Sequence, residues 1–188
     1  MKRPACLVLF LALTAVPASA QRLWLTAGGS SSSGFGEQPL APMASLVTQG
    51  GIFGLEAEGV TSWNGANKYT GAGWAFRQSL DVAALPVGPV GIMVGADYRY
   101  RDGGPWSKQA IWLRSGFVWS RDRWTVKTVV RLELWQIDAP EVRLAQWEIR
   151  HRLSRRWMLA LTQGVGTYQQ PERNWGLWSD IEVGWRLR

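Results

Sequence analysis

The stretch that most constrains the fold is Arg123–Ile137, RWTVKTVVRLELWQI. Taking every second residue, Trp124, Val126, Val130, Leu132 and Leu134 form an apolar set. The alternate set carries Arg123, Lys127, Arg131 and Glu133. A period of two with unlike faces is the signature of a strand between two different solvents, and a helix of period 3.6 would scramble both sets. Val, Thr and Trp also suit a pleated surface. The run of fifteen residues exceeds the roughly five or six of an ordinary soluble strand. It suffices for the roughly 9–11 residues that a tilted strand needs to cross a bilayer.

Residues 1–20 read as a secretory signal peptide. Lys2 and Arg3 precede an apolar core over Cys6–Val16, and Ala18-Ser19-Ala20 has the A-x-A form of a cleavage site. The core is too short for a spanning helix. Cys6, the sole cysteine, leaves with the leader, so disulfide and thiolate chemistry are excluded from the mature chain. Removal of the leader lowers the formal charge of +7 by two. The remaining cations are dispersed along strands and do not form a run, which argues against nucleic acid as a partner.

Residues 21–45 contain a possible short strand, Arg22–Thr26, then Ser30–Ser33 and a Gly- and Pro-containing stretch. They are assigned as a flexible N-terminal segment, with a periplasmic arm, a plug or an extra hairpin as alternatives. From 46 to 188 the alternation is regular and gives eight strands: 52–62, then 73–84, 90–101, 108–120, 123–137, 142–153, 157–168 and 175–188. The apolar parity of 142–153 switches near Ala145, which predicts a β-bulge there. Connections at 63–72, 102–107 and 169–174 are long and polar, those at 85–89, 121–123 and 154–155 tight, and 138–141 is the short exception. The expected fold is therefore all-β: a closed antiparallel transmembrane β-barrel of eight strands, or ten if 21–49 adds a hairpin. Closure also removes the edges that an open sheet could not leave unpaired in lipid.

The polar parity defines an expected lumen. Its acids are Glu56, Glu58, Asp81, Asp97, Glu133, Glu148, Asp180 and Glu182. Its cations are Arg77, Arg99, Arg114, Lys127, Arg131, Arg150, Arg152 and Arg186. Small residues such as Gly95, Gly116 and Gly164 share that parity, as a crowded interior requires. Turning these charges to mid-depth lipid would cost roughly 2–4 kcal/mol for each Arg or Lys. Trp119, Trp124, Trp157 and Trp185 fall near the tight turns, and Trp74, Tyr98 and Trp175 near the long loops. That placement predicts two aromatic girdles.

With these features the chain resembles the small eight-stranded outer-membrane barrels, the class of the OmpA transmembrane domain and the OmpX and OmpW families. The resemblance covers 46–188 and rests on pattern. It implies an outer-membrane location, contact with lipid, a structural or interaction role (envelope integrity, adhesion or limited solute passage), and an extracellular partner reached through loops 63–72, 102–107 and 169–174. In that class the last strand usually ends on an aromatic residue, whereas this sequence ends Trp185-Arg186-Leu187-Arg188.

Two other readings stand beside it. Alternation also fits a periplasmic lipocalin-like carrier of an apolar ligand. A lipid-modifying barrel enzyme would use His with Ser. The only histidine, His151, lies on the apolar parity in H-R-L-S, with Ser154 one residue beyond the H-x-S spacing. It reads as an interfacial ring and not as a base. Asp180 and Glu182 would approach Glu56 and Glu58 if the last of eight strands closed on the first, and ion pairing is the expected state of all four. One His and no mature Cys argue against a metal site, and no phosphate-cradling glycine motif occurs. No cofactor is expected.

Overall fold

The computed structural model describes residues 22–33, 38–52, 55–64, 75–87, 89–101, 109–137, 141–169 and 173–187. They form ten strands: β1 Arg22–Ser33, β2 Gln38–Ile52, β3 Leu55–Asn64, β4 Ala75–Val87, β5 Val90–Arg101, β6 Gln109–Arg121, β7 Trp124–Ile137, β8 Glu141–Arg152, β9 Trp157–Gln169 and β10 Arg173–Arg186. Each pairs antiparallel with its neighbours in sequence, and β1 pairs with β10 to close the barrel. The closure ladder runs from Trp24 opposite Arg186 to Ser33 opposite Leu177, and the Leu187 N–H donates to the Leu23 carbonyl at 2.8 Å. This closed antiparallel barrel is the architecture of the small outer-membrane barrels that the sequence resembles.

The ten-strand alternative replaces the eight-strand count. Residues 22–33 and 38–52 are paired strands of the barrel, so these parts of the segment expected to be flexible, 21–45, belong to it. Ser30–Ser33, Pro39 and Pro42 are poor strand formers, yet Ser30–Ser33 find partners on β10 and Pro42 lies opposite Gly29 of β1. Ser30–Ser33 lie opposite Asp180 to Leu177, and a register shift at Ser30/Ser32 absorbs the mismatch with β2. Pairing across the closed ring overrides local preference. The strand expected at 52–62 corresponds to β3, which runs from Leu55 to Asn64, while Ile52 ends β2.

Short connections at 53–54, 88–89, 122–123 and 153–156 share one end with the start of β1 and the end of β10. Those at 34–37, 65–74, 102–108, 138–140 and 170–172 lie at the other end. Asp122 opens the two-residue β6–β7 turn with φ of 53°, a left-handed conformation that aspartate tolerates better than most residues. The bulge expected near Ala145 is present as a register shift between Arg143 and Ala145. A second shift, at Ile111/Trp112 against β7, has no counterpart in the sequence reading.

Sidedness follows the period of two and is inverted relative to a soluble protein. Leu132 on the outer face is 63% exposed, with Val130, Leu134, Ile92, Phe117, Leu177 and Ile181 similarly bare, whereas Arg114 inside is 1% exposed. Soluble monomers rarely leave so continuous an apolar belt uncovered.

Candidate functional site

Register places the charged parity on one set of facing positions. Glu58 lies opposite Asp81, Asp81 opposite Gly95, Gly95 opposite Arg114, Arg114 opposite Arg131, and Lys127 opposite Glu148. Like charges therefore sit side by side in the register, Glu58 with Asp81 and Arg114 with Arg131, and each finds its opposite from another strand. A Cβ at Gly95 would run into the Asp81 carboxylate and the Leu80 carbonyl.

The side chains meet in a network across the interior. Nearest the tight turns, Lys127 Nζ lies 2.5 Å from Glu58 Oε1 and 3.3 Å from Asp81 Oδ2. Arg150 donates to Glu58 Oε2, lies 3.4 Å from Glu148, and shares Glu58 with the Gln49 amide at 2.8 Å. At mid-height, Arg114 bridges Asp81 at 3.3 Å and Glu148 at 3.1 Å, and Gln146 also donates to Glu148. Towards the loops, Asp97 accepts from Arg77 Nε at 2.9 and 3.1 Å and from Arg131 Nε at 3.2 Å.

The reach of these contacts matters more than their number. Strands β3 and β8 are five steps apart in the ring of ten, so the Arg150–Glu58 pair spans the barrel diameter. Lys127 to Glu58 joins β7 to β3, again across the interior. Each ion compensates another that has also lost its water, without which burial would be prohibitive.

The remaining inward residues surround this network. Asp180 and Glu182 are buried on the opposite wall, where Thr26 Oγ1 donates to Glu182. They do not approach Glu58 as an eight-strand closure would require, because β1 and β2 stand between β10 and β3. Arg99, Glu133, Arg152 and Arg186 are partly buried nearer the barrel ends. Glu56 occupies the strand position opposite Ala83, and its side chain lies outside the described residues.

Sequence reasoning missed the apolar share of the interior. Trp24, Trp112 and Trp178 are almost fully buried. Trp24 packs with Val47 and Met158, and a second cluster joins Ala83, Met93, Val118 and Val129. The Trp178 indole occupies the space a Cβ on Gly164 would need, and Arg131 stands 5.9 Å from its centroid. The signal was available: Trp112 and Trp178 share parity with Arg114 and Asp180.

Outside, Trp124, Trp157 and Trp185 are exposed and Trp119 partly so at the tight-turn end. Trp175 is exposed and Tyr98 half-buried towards the loops. Trp74 falls outside the described residues, as does the expected signal peptide. Trp157 meets Trp185 edge to face at 4.5 Å. His151 stacks on Trp124 with centroids 4.0 Å apart. Ser154 Oγ accepts from the Arg156 and Trp157 amides, which makes it a turn cap and not a partner for His151. Among the described residues, no group of three or more His, Cys, Asp or Glu side chains could hold a metal ion.

Below the network, on the tight-turn side, lies an open cavity of about 270 Å³ whose lining includes Arg22, Gln49, Glu58, Arg123, Lys127 and Arg152.

No family model matches the chain, and no curated protein matches its sequence. Twelve chains of solved structures match. Neisserial surface protein A aligns over 89% of this chain and 96% of its own at 9% identity and a TM-score of 0.40. The KdgM porin, solved in complex with disordered oligogalacturonate, aligns over 89% of this chain and 99% of its own at 8% identity and a TM-score of 0.46.

Proposed function

We propose that the protein is an integral outer-membrane barrel whose lumen is sealed by ion pairs, and whose role is structural or interaction-based instead of catalytic or freely conducting. The carrying observation is the pair between Arg150 and Glu58 across the full diameter, with Lys127, Asp81, Arg114 and Glu148 packed against it. A solute would have to separate buried charges to pass, and each broken pair leaves an uncompensated ion. Lipid is the partner of the outer belt, with Trp124, Trp157, Trp185 and Trp175 as interfacial anchors. An extracellular partner would be reached through the long-loop end. The loop ranges expected there, 63–72, 102–107 and 169–174, lie largely outside the described residues.

The distribution of polarity argues against the carrier. A lipocalin-like barrel turns its charges to water and its apolar side chains to the ligand, and here both are reversed. The separate partners of His151 and Ser154 argue against the enzyme. The test is conductance after reconstitution in planar bilayers. The unaltered protein should pass no steady current, and the Glu58→Ala/Arg150→Ala double variant should pass a measurable one. A steady current through the unaltered protein overturns the sealed-lumen reading.

A further inference from the structure

The two ends of the barrel differ in charge as sharply as the two faces of its strands differ in polarity. At the tight turns and the strand ends beside them, positions 21–23, 51–56, 86–91, 120–125, 151–158 and 185–188 hold eight arginines against two carboxylates, Glu56 and Asp122. At the other end, positions 32–39, 63–76, 100–110, 136–142 and 168–174 hold four cations against five carboxylates. Of the two acids at the tight-turn end, Glu56 shares the strand parity of Glu58, and Asp122 is exposed with Arg121 3.8 Å away. Luminal ion pairing does not account for the excess, because Arg121, Arg123, Arg155 and Arg156 are exposed. One rim of the barrel is cationic and the other is not.

These arginines stand beside the exposed tryptophans of the same end. The β6–β7 turn carries Arg121 and Arg123 next to Trp124, and the β8–β9 turn carries Arg155 and Arg156 next to Trp157. Backbone bonds tie the segments together: the Arg152 N–H donates to the Arg123 carbonyl at 2.8 Å, and the Arg186 N–H to the Arg156 carbonyl at 2.9 Å. The arc therefore runs without a break from the end of β6 to the end of β10. Arg156 stands 5.9 Å from the centroid of Trp185, whose ring meets Trp157 edge to face. Leu153 and Leu187 lie among the arginines and are 51% and 52% exposed. A surface that interleaves bare Trp and Leu with arginine fits the boundary between water and hydrocarbon. There the apolar groups enter the acyl layer while guanidinium forks reach phosphate oxygens. A soluble polyanion would leave the same Trp and Leu side chains in water.

We infer that the tight-turn rim from β6 to β10 is a docking surface for the headgroups of anionic glycerophospholipids, which it selects over zwitterionic ones from the leaflet at that end. A headgroup with a phosphate and no amine keeps its full negative charge for the arginines, whereas an amine-bearing headgroup offsets it. Each arginine near the surface of an anionic leaflet adds to the attraction, and the effect fades within a Debye length. The inference rests on the membrane reading above. It adds the charge class of the lipid and the end of the barrel at which that lipid is chosen.

The experiment is electron spin resonance of the full-length mature barrel reconstituted in phosphatidylcholine vesicles, probed in turn with spin-labelled phosphatidylglycerol and spin-labelled phosphatidylcholine. The motionally restricted component reports the lipid held at the protein surface. Phosphatidylglycerol should associate about threefold more strongly at low salt, averaged over a lipid shell most of which lies away from the arc. The ratio should fall towards unity in about 1 M salt, where the Debye length is about 3 Å. The Arg121→Gln/Arg123→Gln/Arg155→Gln/Arg156→Gln variant should also bring it to unity, and the Arg121→Lys/Arg123→Lys/Arg155→Lys/Arg156→Lys variant should keep the preference. Inorganic phosphate should lower the ratio no more than chloride of equal ionic strength, and a larger effect overturns the lipid as the source of the phosphate. In case the glutamine variant fails to fold, phenylglyoxal modification of the unaltered protein is mapped by mass spectrometry. Phosphatidylglycerol in the vesicles should slow it at these four arginines relative to phosphatidylcholine alone. An unchanged ratio in the glutamine variant, or equal modification in both kinds of vesicle, overturns the inference. A restricted component without preference in the unaltered protein overturns the inference alone. No restricted component with either lipid overturns the membrane reading and the inference with it.

Discussion

Glu58 is the residue on which the sealed interior most depends, and its removal has a calculable consequence. Its carboxylate faces Lys127 at 2.5 Å, takes a hydrogen bond from Gln49 at 2.8 Å and pairs with Arg150 across the diameter, while the side chain is only 9% exposed. Deleting one member of a buried ion pair typically destabilises by about 3–5 kcal/mol because the other ion is left uncompensated. Here both abandoned cations keep a second carboxylate, Asp81 at 3.3 Å for Lys127 and Glu148 at 3.4 Å for Arg150. The lower end, about 3 kcal/mol, is therefore expected for Glu58→Ala, roughly a hundredfold in the folding equilibrium. Glu58→Gln keeps the shape and loses the charge, so it should show most of the same loss. Adding Arg150→Ala to Glu58→Ala should cost less than the two single losses together, because each single variant strands the partner that the double variant removes. The assay is urea titration of the reversible folding equilibrium in lipid vesicles, followed by Trp fluorescence and heat-dependent gel mobility. A Glu58→Ala change within about 0.5 kcal/mol, the range of an ordinary surface substitution, would refute the reasoning. Strict additivity of the pair would refute it equally.

Leu132→Arg on the outer face should destabilise folding in bilayers by roughly 2–4 kcal/mol. A water-facing position would register almost nothing, so a neutral result in the same vesicle titration counts against lipid contact. Gly164→Ala forces a Cβ into the Trp178 indole and should cost about 1–3 kcal/mol as overpacking. In a Trp178→Ala background the same substitution should be close to neutral, which thermal unfolding of the four proteins would reveal. His151→Ala removes a ring stacked on Trp124 and should lower stability by about 0.5–1.5 kcal/mol. The lipid A mass spectrum of cells carrying it should match that of cells with the unaltered protein, and a changed spectrum would restore the enzyme.

The faces of the strands were legible because a period of two survives any error in strand count. Val130, Leu132 and Leu134 sit outside, and Lys127 and Arg131 inside, whether the barrel has eight strands or ten. The count itself was not legible. Ser30–Ser33 and the two prolines of β2 carry turn-like chemistry, and only the register of β1 against β10 and β2 makes strands there. Ion partners were hidden for a related reason. Opposite charges on one parity predict that pairs form, but Arg150 and Glu58 meet only because five strands separate them in a ring of ten. The expected proximity of Asp180 and Glu182 to Glu56 and Glu58 failed with the count that implied it. Tryptophan content misled in a different way. The girdle reading left Trp112 and Trp178 unplaced, and parity puts them inside, with Trp157 and Trp185 outside.

Strand number also explains why the interior is built from arginine, tryptophan and glycine together. An eight-stranded barrel is just narrow enough for ordinary side chains to fill. Two more strands widen it, and short residues from opposite walls would no longer meet. Arginine and tryptophan reach further than other side chains, and glycines opposite them, Gly95 beside Asp81 and Gly164 beneath Trp178, let them lie flat instead of colliding. Arginine brings charge with its length, so carboxylates must follow at matching heights, as Asp97, Asp81, Glu148 and Glu58 do. That matching ends at the level of Glu58. Towards the tight turns the described lining adds Arg22, Arg123 and Arg152 and no further described carboxylate. The filling rule for a wide barrel therefore accounts for the seal at mid-height. It does not by itself require the cavity left between that level and the tight turns.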